Sequence, residues 1–419
     1  MRSATALPGA PSMGLIAVLA LLNAVTPFAI DMYLSAFPQM AVDLDTPATS
    51  VQLTLTTFLI GLAVGQLVIG SLSDRYGRRK PLVVGTMACL VASILCAFAP
   101  TVEILIGLRF VQGVGGAAGV VIARAVIADR ARGSQAARLF AVMMLIGVLA
   151  PLTAPIIGGA IVTSLGWRAV FGALALLCLL MLLGVLFAVK ESLPAELRRP
   201  GGIKALASST RSVLTNRFYI GYTLTMAFTS AAMFGYISAS PFVLQNIMGL
   251  SPGHYSLTFG ACSLAVGAGT AVAARLVESR TPRRVLMGGV AAMVVVSALL
   301  LVTVTIGGVP HWPTVALMAC FMGCMGFIYS NAAMLATTEV RHAAGTGSAV
   351  LGFLQYGTGA LAAPLVGLAG QHSAVPMGWT MFGAALAAAA ALFLLTRGHV
   401  PVDEAEEAEQ ALAGSVAAE

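Results

Sequence analysis

Charge is what this chain has least of. Asp, Glu, Lys and Arg make up 9% of its 419 residues, where a soluble globular domain carries about 25%. With 58% of the residues apolar, too little polar surface remains to wrap a water-soluble fold, and the surplus must face lipid. Histidine is also sparse. His254, His311, His342, His372 and His399 stand apart near the ends of apolar runs, and no HExxH, GxSxG or GxxxxGK[ST] pattern accompanies them. Intramembrane catalysis and direct use of ATP by this chain therefore lack their residues; the protein does not read as an enzyme, and no cofactor is implied. Cys89, Cys96, Cys178, Cys262, Cys320 and Cys324 all lie inside apolar runs without CxxC or CxxH spacing. They read as small packing residues, not metal ligands. Basic residues are dispersed among loops, which does not suggest nucleic-acid binding.

What the chain does have is a series of apolar runs near the length, about 20 residues, that a helix needs to cross a bilayer. They cover approximately 14–36, 50–72, 81–99, 102–127, 137–162 and 168–189, then 216–244, 253–277, 284–306, 312–336, 344–369 and 376–396. The first could mimic a signal peptide, but with so many runs behind it, it reads as an uncleaved span. The expectation is an all-α membrane protein of twelve transmembrane helices in two pseudo-symmetric bundles. The N-terminal six-helix bundle takes 1–189, a cytoplasmic linker 190–215, the C-terminal bundle 216–400, and an acidic, disordered cytoplasmic tail 401–419. Arg and Lys cluster after spans two, four, six, eight and ten, and the alternate loops carry almost none apart from Arg168. By the positive-inside rule both termini are cytoplasmic.

The halves echo each other. GSLSDRYGRRKPL begins at Gly70 and ARLVESRTPRRVL at Ala274, an offset of 204 positions that matches Leu72 to Leu276, Asp74 to Glu278, Arg79 to Arg283 and Leu82 to Leu286. APIIGG at Ala154 has a counterpart, APLVG, at Ala363. Duplicated six-helix halves are an architecture of alternating-access transporters.

Three motifs carry a resemblance. GSLSDRYGRRKPL resembles the loop signature of the major facilitator superfamily, LRFVQGVGGAAG from Leu108 is similar to its span-four motif, and LAPLTAPIIGG from Leu149 resembles its antiporter motif. The opening DMYLSAFP, with the span-two sequence behind it, resembles the drug:proton antiporters of the Bcr/CflA drug-resistance branch. The likeness covers spans one to six; in the second half it rests on topology and worn motifs. It implies that the loop (Gly70, Asp74, Arg75, Gly77, Arg78, Arg79) acts as a latch stabilising the outward-facing state, beyond the role of its cations in fixing topology. It implies that Pro151, Ala154, Pro155, Gly158 and Gly159 form a bent, tightly packed helix that seals against proton leak, where the bland alternative is an ordinary proline kink. Ala154 departs from the usual glycine. Arg109 matches an arginine implicated in proton coupling; the alternative is that it snorkels to the membrane surface.

Asp31 stands alone among the acids. The others lie in loops, at span ends or in the tail, while Asp31 has apolar sequence on both sides. It lies 17 residues beyond Gly14, about 26 Å of helix, in the outer half of span one. A charge at the bilayer centre costs about 2.5–3.5 kcal/mol on the mildest scales, so an acid kept there is a candidate for taking up and releasing a proton, with a nearby Arg109 tuning it. The alternative is an interfacial acid that ends the helix. Its counterpart in the second half is Gly235, so this chemistry is one-sided. Candidates for a substrate cavity are Asn23, Tyr33, Gln112 and Met144 from the first half, and Phe234, Tyr236, Asn331, Gln355 and Tyr356 from the second. Aromatics, Met and amides suit bulky lipophilic ligands, although for any one of them packing between helices is the competing role. The reading is a monomeric, proton-coupled exporter of small lipophilic or cationic compounds, chloramphenicol- or bicyclomycin-like, in a bacterial inner membrane; its partners are the drug, protons and lipid. An exporter of an endogenous metabolite is the alternative, and a membrane-embedded sensor or enzyme is a more distant one.

Overall fold

A computed structural model describes residues 13–130, 134–198, 203–306, 309–367 and 372–398. The acidic tail, 401–419, lies outside them. Twelve long helices form, and no strand occurs among the described residues. Spans one to six are Met13–Asp31, Ala48–Tyr76, Arg79–Ala97, Val102–Arg130, Ser134–Leu165 and Trp167–Ala188. Spans seven to twelve are Arg217–Pro241, Pro252–Val277, Pro282–Thr305, His311–Thr338, Ala344–Ala362 and Val375–Leu395. Eleven are long and apolar enough to cross a membrane, and the remaining one, span five, carries the shorter apolar stretch Leu149–Leu165. A further helix, Ile203–Leu214, falls within the stretch that reads as a polar linker.

The ends of these helices follow from local chemistry. Asn216 accepts from the amides of Phe218 and Tyr219 to start span seven, and Ser251 and Thr281 cap spans eight and nine, each followed by a proline at the first helical position. Gly166, at φ +79°, makes the tight turn between spans five and six.

The packing has two-fold pseudo-symmetry. Span four lies against spans one, two and three, and span ten lies against spans seven, eight and nine. Span one packs on spans five and six as span seven packs on eleven and twelve. The halves meet through span two against span eleven and span five against span eight. Small residues allow the closest contacts: a Cβ at Gly113 would run into the backbone of Phe58, so spans two and four touch backbone to backbone.

Candidate functional site

Spans one, four, five, seven, eight, ten and eleven enclose a cavity of about 350 Å³ between the halves. Asn23, Thr26, Pro27, Ile30 and Asp31 line it from span one, Arg124 from span four, and Met143, Gly147 and Pro151 from span five. The second half contributes Met233, Phe234, Ile237, Phe259, Ser263, Met322, Gln355 and Tyr356, without a charge among them. Asp31 is 5% exposed and forms no ion pair among the described residues. The Thr26 hydroxyl is buried without a hydrogen-bond partner among the described residues, which leaves a polar group available at the cavity wall.

Arg109 forms no ion pair with Asp31, although its guanidinium reaches span one two residues short of the acid. It is fully buried, so it does not snorkel. Its guanidinium donates to Gln112 Oε1 at 2.5 Å and to the Ala29 carbonyl at 2.9 Å, between the rings of Tyr33 and Phe58 at 4.3 and 4.2 Å. Arg109 thus reaches span one at its backbone, while Asp31 lies on the cavity wall. Gln112 continues the network to Ser93 at 2.7 Å, and Ser93 lies 3.8 Å from the Cys178 thiol, itself 3.4 Å from Cys89. This polar chain crosses the first half without entering the cavity.

The other candidates divide accordingly. Asn23, Phe234, Gln355 and Tyr356 line the cavity, and Asn23 also donates to the Met143 carbonyl at 3.0 Å. Tyr33 and Gln112 belong to the Arg109 cluster. Tyr236 is stacked on Phe259 behind the wall, and Asn331 donates to Phe327 of its own helix. The side chain of Met144 lies outside the described residues. Arg124 is a cavity residue that the sequence reading leaves out; its signal is a cation inside VVIARAVIADR, two turns before span four ends.

The cavity has one end held closed. Asp129, five residues beyond Arg124, bonds Arg78 in the loop between spans two and three, so Arg124 lies toward the loop end of the bundle and Asp31 toward the opposite end. At that opposite end Gln52 donates to the Ser238 carbonyl at 3.2 Å and Gln245 to the Ser35 carbonyl at 3.1 Å, both across the halves. The rings of Phe37 and Phe242 meet at 6.0 Å. The antiporter-motif glycines lie in the same seal: a Cβ on Gly158 would collide with the Met32 carbonyl, and one on Gly159 with the Ser256 side chain of span eight. Pro151 lines the cavity, Ala154 is buried, and both prolines lie within an unbroken helix.

At the loop end, Arg78 bridges Asp74 at 2.5 Å and Asp129 at 3.0 Å and also donates to Ser73. Gly77 turns at φ +86°, and a side chain there would strike the Glu191 carboxylate. Burial alone would push that carboxyl up, but amides of Leu193, Arg78, Arg79 and Ser192 donate to it and hold it below its ordinary value. Arg79 donates to the Leu186 carbonyl, Arg75 lies over the Tyr76 ring, and a Cβ at Gly70 would meet Val121 at an ordinary 3.8 Å. The partners in this cluster come from the first half and from the start of the linker, at Glu191, Ser192 and Leu193.

Two six-helix bundles around a central cavity closed at one end are the architecture of a polytopic membrane transporter. The sequence profile described as Major Facilitator Superfamily matches residues 19–364, and the chain belongs to that superfamily. It is 36% identical over 397 residues to an uncharacterized MFS-type transporter, YdgK, of Bacillus subtilis (strain 168), covering 94% of this chain and 98% of the relative. It is 30% identical over 385 residues to the bicyclomycin resistance protein homolog of Haemophilus influenzae, covering 91% and 96%. A multidrug resistance protein, MdtL, of Salmonella typhi is 28% identical over 78% of this chain and 82% of its own. Among solved structures, a D-xylose–proton symporter superposes with a TM-score of 0.73 at 15% identity over 93% and 98% of the two chains. A bacterial homolog of the human lysosomal transporter Spinster, inward-facing and occupied, gives 0.72 at 16% over 92% and 96%. At such identities these two speak for the fold alone.

Proposed function

We propose that this transporter is a proton-coupled exporter of small lipophilic or cationic compounds, working by alternating access. The observation that carries the reading is Asp31: a carboxylate without an ion-pair partner among the described residues, on the wall of a cavity made mostly of aromatic, Met, aliphatic and amide groups, with Arg124 as its other charge. Such walls accept bulky apolar bodies without demanding one shape. The acid is the group that binds either a proton or a substrate cation, and competition between the two is the minimal chemistry of exchange. Relatives named for bicyclomycin and multidrug resistance support the substrate class.

The excess of Lys and Arg at the loop end makes that end cytoplasmic. The cavity then faces the cytoplasm, with its outer seal formed by Gln52, Ser238, Gln245, Gly158 and Gly159. A substrate enters from the inside, and a proton entering from outside after reversal displaces it. One charge moving through 100 mV supplies about 2.3 kcal/mol, enough for a concentration ratio of about fiftyfold.

The deciding experiment is a drug-susceptibility panel in an efflux-deficient host expressing the protein, with export followed in vesicles energised by a pH gradient. Resistance to several lipophilic drugs that disappears when an uncoupler is added supports the reading. Unchanged susceptibility across the panel at full expression removes it in favour of an exporter of an endogenous metabolite.

A further inference from the structure

The loops between spans two and three and between spans eight and nine hold matching positions, and each ties one arginine inward by its own partners. In the first, Arg78 is held between Asp74 and Asp129. In the second, Arg283 turns inward and donates to the Thr396 carbonyl at 2.8 Å. Arg280 and Arg284 remain exposed, and neither side chain forms an ion pair with any described residue. Glu278, the counterpart of Asp74, forms none either. Each loop thus ties one arginine into its bundle, and the loop between spans eight and nine leaves Arg280 and Arg284 outward much as the first-half loop leaves Arg75 and Lys80.

Those two arginines border a groove of about 180 Å³ whose remaining wall includes Leu276, Val285, Ala292 and Phe327. From Arg284 to Ala292 is about 12 Å of helix, so the groove descends from the polar boundary into the apolar depth of the membrane. Gly288 leaves it open, with no atom within 4 Å of where a Cβ would be. Paired guanidinium groups above an apolar slot match a ligand that is anionic at one end and aliphatic at the other. Guanidinium offers forked donors to phosphate oxygens, and the slot accepts the first carbons of a chain. A soluble anion would leave the slot empty, and a zwitterionic lipid would bring its own cation against the arginines. We propose that this groove binds an anionic phospholipid, with Arg280 and Arg284 on the headgroup phosphate and Val285, Ala292 and Phe327 along an acyl chain.

The test is native mass spectrometry on the full-length purified protein, titrated with phosphatidylglycerol and phosphatidylcholine of identical acyl chains. Phosphatidylglycerol should bind preferentially, and the R280Q/R284Q double variant should weaken it by about thirtyfold, the worth of two basic residues near an anionic surface. Gly288→Leu is the independent arm: it fills the groove without displacing backbone and should also weaken lipid binding, with thermal melting in lipid-free detergent unchanged. Equal binding of the two lipids, or retention of phosphatidylglycerol by either variant, overturns the proposal. So does displacement of the lipid by inorganic phosphate, which would mark a simple anion site.

Discussion

Arg109 donates to the carbonyl of Ala29 at 2.9 Å, two residues short of Asp31, so spans one and four are tied together without consuming the acid. A lysine cannot reproduce this arrangement, because a single ammonium cannot serve Gln112 and Ala29 while lying flat between two rings. Arg109→Lys should lower stability by about 1–3 kcal/mol through lost donors in a sealed site and should also lose transport. Thermal melting in detergent measures the first effect. Melting equal to that of the wild type would mean that the cluster does not hold the two spans.

Asp31, free of that tie, should be separable from folding. Asp31→Asn keeps shape and hydrogen bonding but cannot release a proton, so it should abolish uphill export while retaining binding of neutral compounds and a wild-type melt. Asp31→Glu should keep part of the activity with a shifted pH dependence. Proton release on adding substrate to the detergent-solubilised protein should disappear in the Asn variant. Export by Asp31→Asn equal to that of the wild type from pH 6 to 8 would leave Asp31 as a helix end and send the search for coupling elsewhere.

The outer seal gives a prediction about conformation. Gly159 abuts Ser256 of span eight so closely that no side chain fits between spans five and eight. Gly159→Val should therefore hold the two halves apart at this end and populate the oppositely open state. Spin labels or cysteine reporters on the ends of spans one and seven should report greater separation, and export should fall. Unchanged separation with full transport would show that the helices slide past the added methyl groups.

How much of this was legible in the sequence depends on what kind of information each feature uses. The helices were, since length and apolarity fix a span, and Asp31 was visible because an acid in an apolar run is rare. The side of a helix was not. Tyr33 and Gln112 have the composition of cavity residues, yet both face the Arg109 cluster, because residue type does not specify rotation about the helix axis. The Gln52–Ser238 contact joins residues 186 apart and exists only once the halves dock. Arg124 near the end of span four resembles the topological cations around it, and only the cavity distinguishes it.

The loop cluster separates two kinds of loss. The Asp74 side chain is 49% exposed and that of Arg78 only 11%. Asp74→Asn should then cost little stability, about 0–1 kcal/mol as for other surface pairs, while slowing the change between states. Arg78→Gln strands two carboxylates and should cost more, about 1–3 kcal/mol. Melting curves and transport rates on both variants test this. Full transport by Asp74→Asn at equal expression would reduce the loop to a topological signal.

Arg124 offers a test of how the cavity selects its ligands. Its side chain is exposed at the loop end of the cavity, whose wall it shares with Tyr356. From the level of Arg109, which touches Ala29, to Arg124 is about 22 Å along span four. Asp31 and Arg124 thus lie too far apart to neutralise each other and present opposite charges at the two ends of one cavity. An entering cation meets Arg124 first, and a compound rich in acceptor oxygens gains a donor there. Arg124→Gln should raise the export of permanently cationic dyes and lower that of neutral, acceptor-rich drugs, each by about two- to fivefold, as expected of an interaction at a hydrated site. The shift should shrink as ionic strength rises, since charges in water are screened beyond about 8–10 Å at 0.10–0.15 M salt. Transport assays with one dye and one neutral drug, each at low and high salt, measure all of this. If both substrates change in the same direction, Arg124 acts on the transport cycle and not on selection.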